Sequence, residues 1–182
     1  MVRSRIARST KRAPPTRIVL GFDPGLALTG YAVLLVRRET ITCQACDVIR
    51  TRSGASLPER LLALYEQVNA LLAEYTPTDV AVETLFIGSN RSTALAVGHA
   101  RGVLLLALQQ RHLPMAEYAP STVKHVIAGH GNAKKAQVGS RVQAILKLAT
   151  PPRPDDAADA AAIALCHVFS VFPQLLERKD RS

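Results

Sequence analysis

Three short apolar runs crowd into the stretch between Arg17 and Arg50: RIVLGF from Arg17, GYAVLLV from Gly30 and ITCQACDVI from Ile41. Only a few residues separate them, and Asp23-Pro24-Gly25 ends the first with turn chemistry. A parallel crossover needs about a dozen residues or more. The three runs are therefore expected to pair as an antiparallel meander.

Downstream the period changes. Leu57, Leu61, Leu64, Val68, Leu71 and Leu72 recur at helical spacing, which predicts an amphipathic helix over SLPERLLALYEQVNALLAEY. DVAVE from Asp79 to Glu83 reads as a short buried strand. An Ala/Leu-rich helix follows from about Asn90 to Arg111, then a strand at MAEYA from Met115. Ser121 opens a short helix that Gly129 ends, and GHGNA reads as a loop. A helix from Lys134 to Leu148 stops before Thr150-Pro151-Pro152. Asp155 or Asp156 opens a last Ala-rich helix running to about Ser170. The order β-β-β-α-β-α-β-α-α-α predicts an α/β fold: a mixed five-stranded sheet, meander plus parallel βαβ strands, flanked by helices. No internal repeat is visible.

The length of 182 residues suits one domain. Residues 1–16 are expected to be a disordered basic arm, 17–172 the folded domain and 173–182 a short polar tail. With no Trp, the core must be built from Leu, Val, Ile and Ala.

Formal net charge is +9, which points to a polyanionic partner such as nucleic acid. Residues 1–17 hold six of these charges and no acid. A second acid-free basic stretch runs from Tyr118 to Pro154 and carries Lys124, Lys134, Lys135, Arg141, Lys147 and Arg153. A solvated face is the ordinary alternative for such a run. Cys43, Cys46 and Cys166 give no disulfide framework, as in a reducing compartment. Residues three apart on a regular strand face opposite ways, so Cys43 and Cys46 read as structural rather than as a metal pair. No apolar run approaches the ~20 residues that span a membrane, and the N-terminus lacks a secretory core. A cytoplasmic, nucleoid-associated protein is expected, with organelle targeting by the Arg/Ser-rich start as the alternative.

The carboxylates fall in telling places. Asp23 and Glu83 each end an apolar strand, where an unpaired charge is costly. If those strands are parallel neighbours, both acids emerge at the sheet edge where α/β proteins gather ligands. Asp156 and Asp159 share one helix face. Four acids meeting without counter-charge would repel, and a hard divalent cation resolves the conflict. Two ions about 4 Å apart can activate water and stabilise a leaving oxygen of a phosphodiester. Each piece also has a plainer reading. Asp23 suits a turn, Asp155 or Asp156 suits an N-cap, Asp159 suits a helix dipole, and Glu83 could pair with a lysine.

The letters themselves resemble a known family. GFDPGLALTGYAVL, ETLFIGSN around Glu83, ALAVGHARGVLLLAL from Ala94, YAPSTVKHVIAGHGNAKKAQV from Tyr118 and DAADAAAIALCH from Asp156 are similar, in this order, to the RuvC-type Holliday-junction resolvases. The resemblance covers about Arg17 to Val168. It implies a ribonuclease-H-like fold and a homodimer that nicks a four-way DNA junction symmetrically, using Mg²⁺ or Mn²⁺ with two ions per site. The catalytic metal ligands it implies are Asp23, Glu83, Asp156 and Asp159. It places Lys124 and Lys135 near the phosphate, and Phe86 as a base-stacking aromatic that could otherwise be ordinary core. Lys134, Arg91 and Arg141 are further candidate DNA contacts. Asp155 stands beside Asp156, where the DAAD spacing favours Asp156 as the third ligand, and Lys134 beside Lys135 leaves the active lysine open. His167, two turns beyond Asp159, is a candidate for the metal shell or a packed histidine. The helix from Asn90 to Leu108 is a candidate dimer face, and the resemblance implies cooperation with the RuvA–RuvB branch-migration motor. The alternatives are a nuclease of this fold acting on hybrids or other branched DNA, and a non-catalytic nucleic-acid-binding module.

If the first 16 residues supply nonspecific DNA affinity, deleting them will weaken binding and flatten its dependence on salt. Junction binding measured across a salt series checks this, and an unchanged slope sinks it.

Overall fold

In the computed structural model, which describes residues 16–84 and 91–179, five strands form one sheet in the order β3-β2-β1-β4-β5. Here β1 is Arg17–Asp23, β2 Leu28–Arg37, β3 Thr40–Arg50, β4 Asp79–Glu83 and β5 Met115–Tyr118. The first three make the expected antiparallel meander, while β4 lies parallel to β1 and β5 parallel to β4. The helices are α1 (Leu57–Tyr75), α2 (Arg91–Gln110), α3 (Pro120–Ala128), α4 (Lys135–Leu146), α5 (Asp155–Val171) and α6 (Pro173–Lys179). Together they make the ribonuclease-H-like arrangement. None of the described helices is long and apolar enough to cross a membrane.

Strand alternation sorts the core into two layers. Leu20, Phe22, Val33, Val80 and Val82 face α1 and α2. Val19, Ala32, Leu34, Val36 and Ala81 face α5 and the helices around it. At the start of α1, the Ser56 backbone N–H donates to Glu59 Oε2 at 2.7 Å, tying down the first turn. At its end Thr76 takes a left-handed conformation (φ 43°) and donates its N–H to the Leu72 carbonyl.

The helix α5 is the centre of the second layer. Ala157, Ala160, Ala161, Ala164, Leu165 and Val168 are fully enclosed. Its small side chains alone do not explain how close it comes to the sheet. A Cβ on Gly21 would lie 2.4 Å from the Ala160 carbonyl oxygen and 2.8 Å from Ala164 Cβ. A Cβ on Gly30 would lie 2.0 Å from the Asp156 carbonyl oxygen. Two strand glycines therefore let the helix backbone rest directly on β1 and β2.

Two expectations are corrected. Residues 173–179 are helical rather than a polar tail, because Leu175 inserts into the α5 layer and is buried. The cysteines of β3 do not face opposite ways. Val33 pairs with Ala45 but Leu34 pairs with Cys43, so Gln44 is an extra, bulged residue. The bulge resets the alternation, and Cys43 and Cys46 both pack on the α5 side.

Gly21→Ala should cost about 1–3 kcal/mol, as overpacking of a filled core does. Urea unfolding of the variant against wild type measures it. A loss below a few tenths of a kcal/mol would mean the α5–β1 contact is loose.

Candidate active site

The parallel pairing of β1 and β4 runs from Val19–Asp79 to Phe22–Val82. It brings Asp23 and Glu83 side by side at the same sheet edge, on the α5 face. Asp23 is held by the turn that follows it: the buried Thr29 hydroxyl donates to the Gly25 carbonyl at 2.6 Å. A Cβ on Gly25 would sit 2.2 Å from the Leu28 carbonyl, so the turn closes only with glycine there. The helix α5, seated on Gly21 and Gly30, carries Asp156 and Asp159 to that edge in its opening turns.

Electrostatics shows that the four carboxylates share one field. The Asp23 carboxyl is pushed up to about 8, first by burial and then by the negative charges of Glu83, Asp159 and Asp156. Glu83 is also raised, mainly by burial and by Asp159, while Lys135 and Lys124 oppose the shift. Lys135 Nζ donates to Asp159 Oδ2 at 2.7 Å. That bond, with Asp23 and Asp156 nearby, holds the ammonium above its usual range.

The two ambiguities of the sequence separate geometrically. Asp155 is exposed and bonds Arg153 Nη1 at 2.8 Å, whereas Asp156 acts on Asp23. Lys134 precedes α4 and is exposed, its N–H donating to Gln137 Oε1, whereas Lys135 reaches the acids. Lys124 on α3 acts on Glu83. Arg141 lies beside His130, Gln137 and Ser140. Phe86 and the Arg91 side chain lie outside the described residues.

His167 is not part of the site. It lies eight residues beyond Asp159, about 12 Å along the helix at 1.5 Å per residue. Its Nδ1 shares a 2.9 Å hydrogen bond with the Tyr118 hydroxyl, and its Nε2 faces Asp79 at 3.9 Å. Asp79 belongs to the opposite sheet edge, where Arg17 Nη1 bonds it at 3.1 Å. Burial lowers the His167 pKa, so it sits there as a packed neutral imidazole.

Some contributors carried no readable signal. Gly21 and Gly30 look like ordinary strand residues, and only the approach of α5 shows what they do. Arg60 looks like one more charge on α1. It bonds the Thr51 hydroxyl at 2.9 Å and the Leu26 carbonyl at 3.3 Å, steadying the loop beyond Asp23. Arg60, Leu26, Val97 and Asp156 line an open groove of about 460 Å³ on one side of the acids. Another, of about 430 Å³, lies on the other side and is lined by Lys135, Ser140, Arg153 and Asp159.

The donor set suits a hard divalent cation: carboxylate oxygens, one of them buried among like charges. Among the described residues no three such side chains converge closely enough, as they stand, to close a metal site. The Lys135 ammonium supplies the counter-charge instead, on Asp159 Oδ2.

The family model "Crossover junction endodeoxyribonuclease RuvC" matches residues 19–167. A protein of that name from Chloroflexus aggregans is 49% identical over 153 residues, 83% of this chain and 92% of its own. Another, from Natranaerobius thermophilus, is 45% identical over 150 residues, 82% of this chain and 93% of its own. The solved structure of Thermus thermophilus RuvC in complex with a Holliday junction substrate superposes with a TM-score of 0.81 at 34% identity. It covers 87% of this chain and 97% of its own. The yeast mitochondrial Holliday junction resolvase Ydc2, at 17% identity and a TM-score of 0.63 over 92% of this chain and 85% of its own, shares the fold.

Because the folded Asp23 pKa of about 8 lies above its unfolded value of 3.8, the folded protein holds the extra proton between those limits. Metal-free stability should therefore fall as pH rises from about 4 to 8. Asp23→Asn should remove that loss and stabilise the metal-free protein at pH 8 by more than about 1 kcal/mol. Thermal unfolding of both proteins across this range in chelator tests it, and parallel curves would refute it.

Proposed function

The chain belongs to the RuvC family of crossover junction endodeoxyribonucleases, and from that membership we propose that it resolves Holliday junctions by paired symmetric nicks in recombination and repair. It is a hydrolase acting on DNA phosphodiester bonds. The observation that carries the reading is an acidic cluster, buried at Asp23, at the sheet edge of a chain with net charge +9. The acids suit cations, and the basic surround suits phosphates.

Asp23, Glu83, Asp156 and Asp159 are proposed to hold two Mg²⁺ or Mn²⁺ ions. Bound there, such ions would activate water for attack and stabilise charge on the leaving oxygen. The protein's own groups do the rest. The fixed turn after Asp23 and the seat of α5 bring the carboxylates to one sheet edge. Lys135 partly balances the acids in their absence. Its ammonium is proposed to stabilise the phosphate charge that grows during cleavage. Lys124 does the same beside Glu83. The two grooves give a strand passage on each side of the acids. Phe86 is proposed to stack on a base near the crossover, contributing about 1–3 kcal/mol. Arg91, Lys134 and Arg141 are proposed to hold flanking phosphates.

Two symmetric cuts require two sites related by a two-fold axis, so the functional unit is proposed to be a homodimer. The helix α2 offers a face for it. Leu95 and Leu106 are 63% and 54% exposed. Gly98 and Gly102 lie between them, with open space where a Cβ would stand. This combination lets a second helix approach closely. Work alongside the RuvA–RuvB motor in the bacterial cytoplasm is proposed with it.

With Mg²⁺ or Mn²⁺, paired nicks are expected in a synthetic four-way junction, and none in linear duplex or RNA–DNA hybrid. Chelator or Asp23→Asn should abolish nicking while junction binding persists, and Lys135→Ala should slow it by about a hundredfold. Hybrid cleavage would move the protein to another nuclease class, and tight binding without cutting under either metal would make it a non-catalytic module. Separately, Leu106→Glu should halve the mass measured by light scattering. A dimer that survives the charge places the interface elsewhere.

A further inference from the structure

The nuclease reading leaves one cluster of reactive side chains unused: Cys43 and Cys46. The bulge at Gln44 turns both thiols to the α5 side of β3, where both are half-buried against the same layer. Cys43 Sγ lies 3.4 Å from the Ala45 carbonyl, and Cys46 Sγ lies 3.1 Å from the Ala157 carbonyl. Ala157 follows Asp156 in the first turn of α5.

The Cys46 thiol donates its proton to the Ala157 carbonyl. The neighbouring Cys46 lowers the Cys43 pKa, whereas Cys46 itself is raised by Cys43 and by burial. The thiolate is the nucleophile of the pair, so Cys43 attacks and Cys46 resolves. Cys166 is fully buried and raised to about 11, which keeps it out of the chemistry. Two thiols alone fall short of the four ligands of a structural zinc site.

We propose that Cys43 and Cys46 close reversibly to a disulfide in the presence of a peroxide, and that closure slows the nuclease by withdrawing Cys46 from the first turn of α5. The Cys43 thiolate attacks the peroxide O–O bond, giving a sulfenic acid and, after protonation, water. The Cys46 sulfur then displaces the sulfenic hydroxyl as a second water. Overall two thiols and hydrogen peroxide give one disulfide and two waters. A dithiol reductant returns both thiols and is itself oxidised to a disulfide. The Ala157 carbonyl loses its thiol donor on closure, and the turn carrying Asp156 loses a tether to β3. Redox-sensing disulfides of this transient kind occur in reducing compartments.

This proposal rests on the junction-nicking reading, and its test separates the two. The full chain is treated with hydrogen peroxide or dithiothreitol, assayed on the four-way junction and digested with trypsin. The peptide Glu39–Arg50 contains both cysteines. It should become about 2 Da lighter after peroxide. Nicking should fall at least about fivefold, the factor carried by one hydrogen bond, and recover with dithiothreitol. Cys46→Ser keeps a donor for Ala157 but cannot close a disulfide. It should nick like reduced wild type and ignore peroxide. An unchanged peptide mass, a disulfide with unchanged nicking, or equal inhibition of Cys46→Ser would each overturn the proposal. If the reduced protein nicks no junction, the functional reading fails, and the peptide mass still decides whether the disulfide forms.

Discussion

The structure depends on how closely α5 approaches the sheet. Backbone meets backbone at two places, where Gly21 and Gly30 leave no Cβ between the strands and the carbonyls of Ala160 and Asp156. Everything at the sheet edge inherits its position from that contact. A helix held off by one methyl layer would carry Asp156 and Asp159 away from Asp23, and the shared field of the carboxylates would weaken with distance. The alanines along α5 serve the same end, filling the space under the helix without lifting it.

Close approach has an electrostatic cost, and the protein meets it locally. Burial and three like charges hold Asp23 near pH 8 instead of in the usual carboxylate range. Lys135 and Lys124 reach in from α4 and α3 to offset part of the repulsion. The acidic cluster is thus under tension without a cation, which gives a divalent ion a driving force for binding. The same helix that carries two of the acids is tethered to β3 through Cys46, so the third strand has mechanical access to the site without contributing a ligand.

Much of this was legible in the letters. The short connections fixed the meander, the helical periods of α1 and α2 were plain, and the five strands appear where their apolar runs lie. The position of Asp23 and Glu83 at strand ends followed from the pattern once the strands were taken as parallel neighbours. Other features were hidden for definable reasons. The bulge at Gln44 leaves no mark in the sequence, because TITCQACDVIR reads as a plain strand with or without an extra residue. The faces of Cys43 and Cys46 were misread for that reason alone. Helical spacing allowed His167 the same side as Asp159, but α5 runs antiparallel to β1, and two turns carry it toward the Asp79 edge. Leu175 has no periodic partners in so short a segment, so its burial could not be read.

The elements, their order and the chemical character of the site are written in the letters, because hydrophobic period, turn residues and residue type are local properties. The letters also carried the family resemblance, which depends on their order and on nothing spatial. What packing adds is that Asp155 turns to Arg153 while Asp156 acts on Asp23, that Lys135 rather than Lys134 reaches Asp159, and that His167 lies at the Asp79 edge. Those placements turn on which of two neighbouring side chains points inward and how far a helix travels along the sheet. Both are set by packing contacts between residues more than a hundred positions apart, such as Gly30 and Asp156.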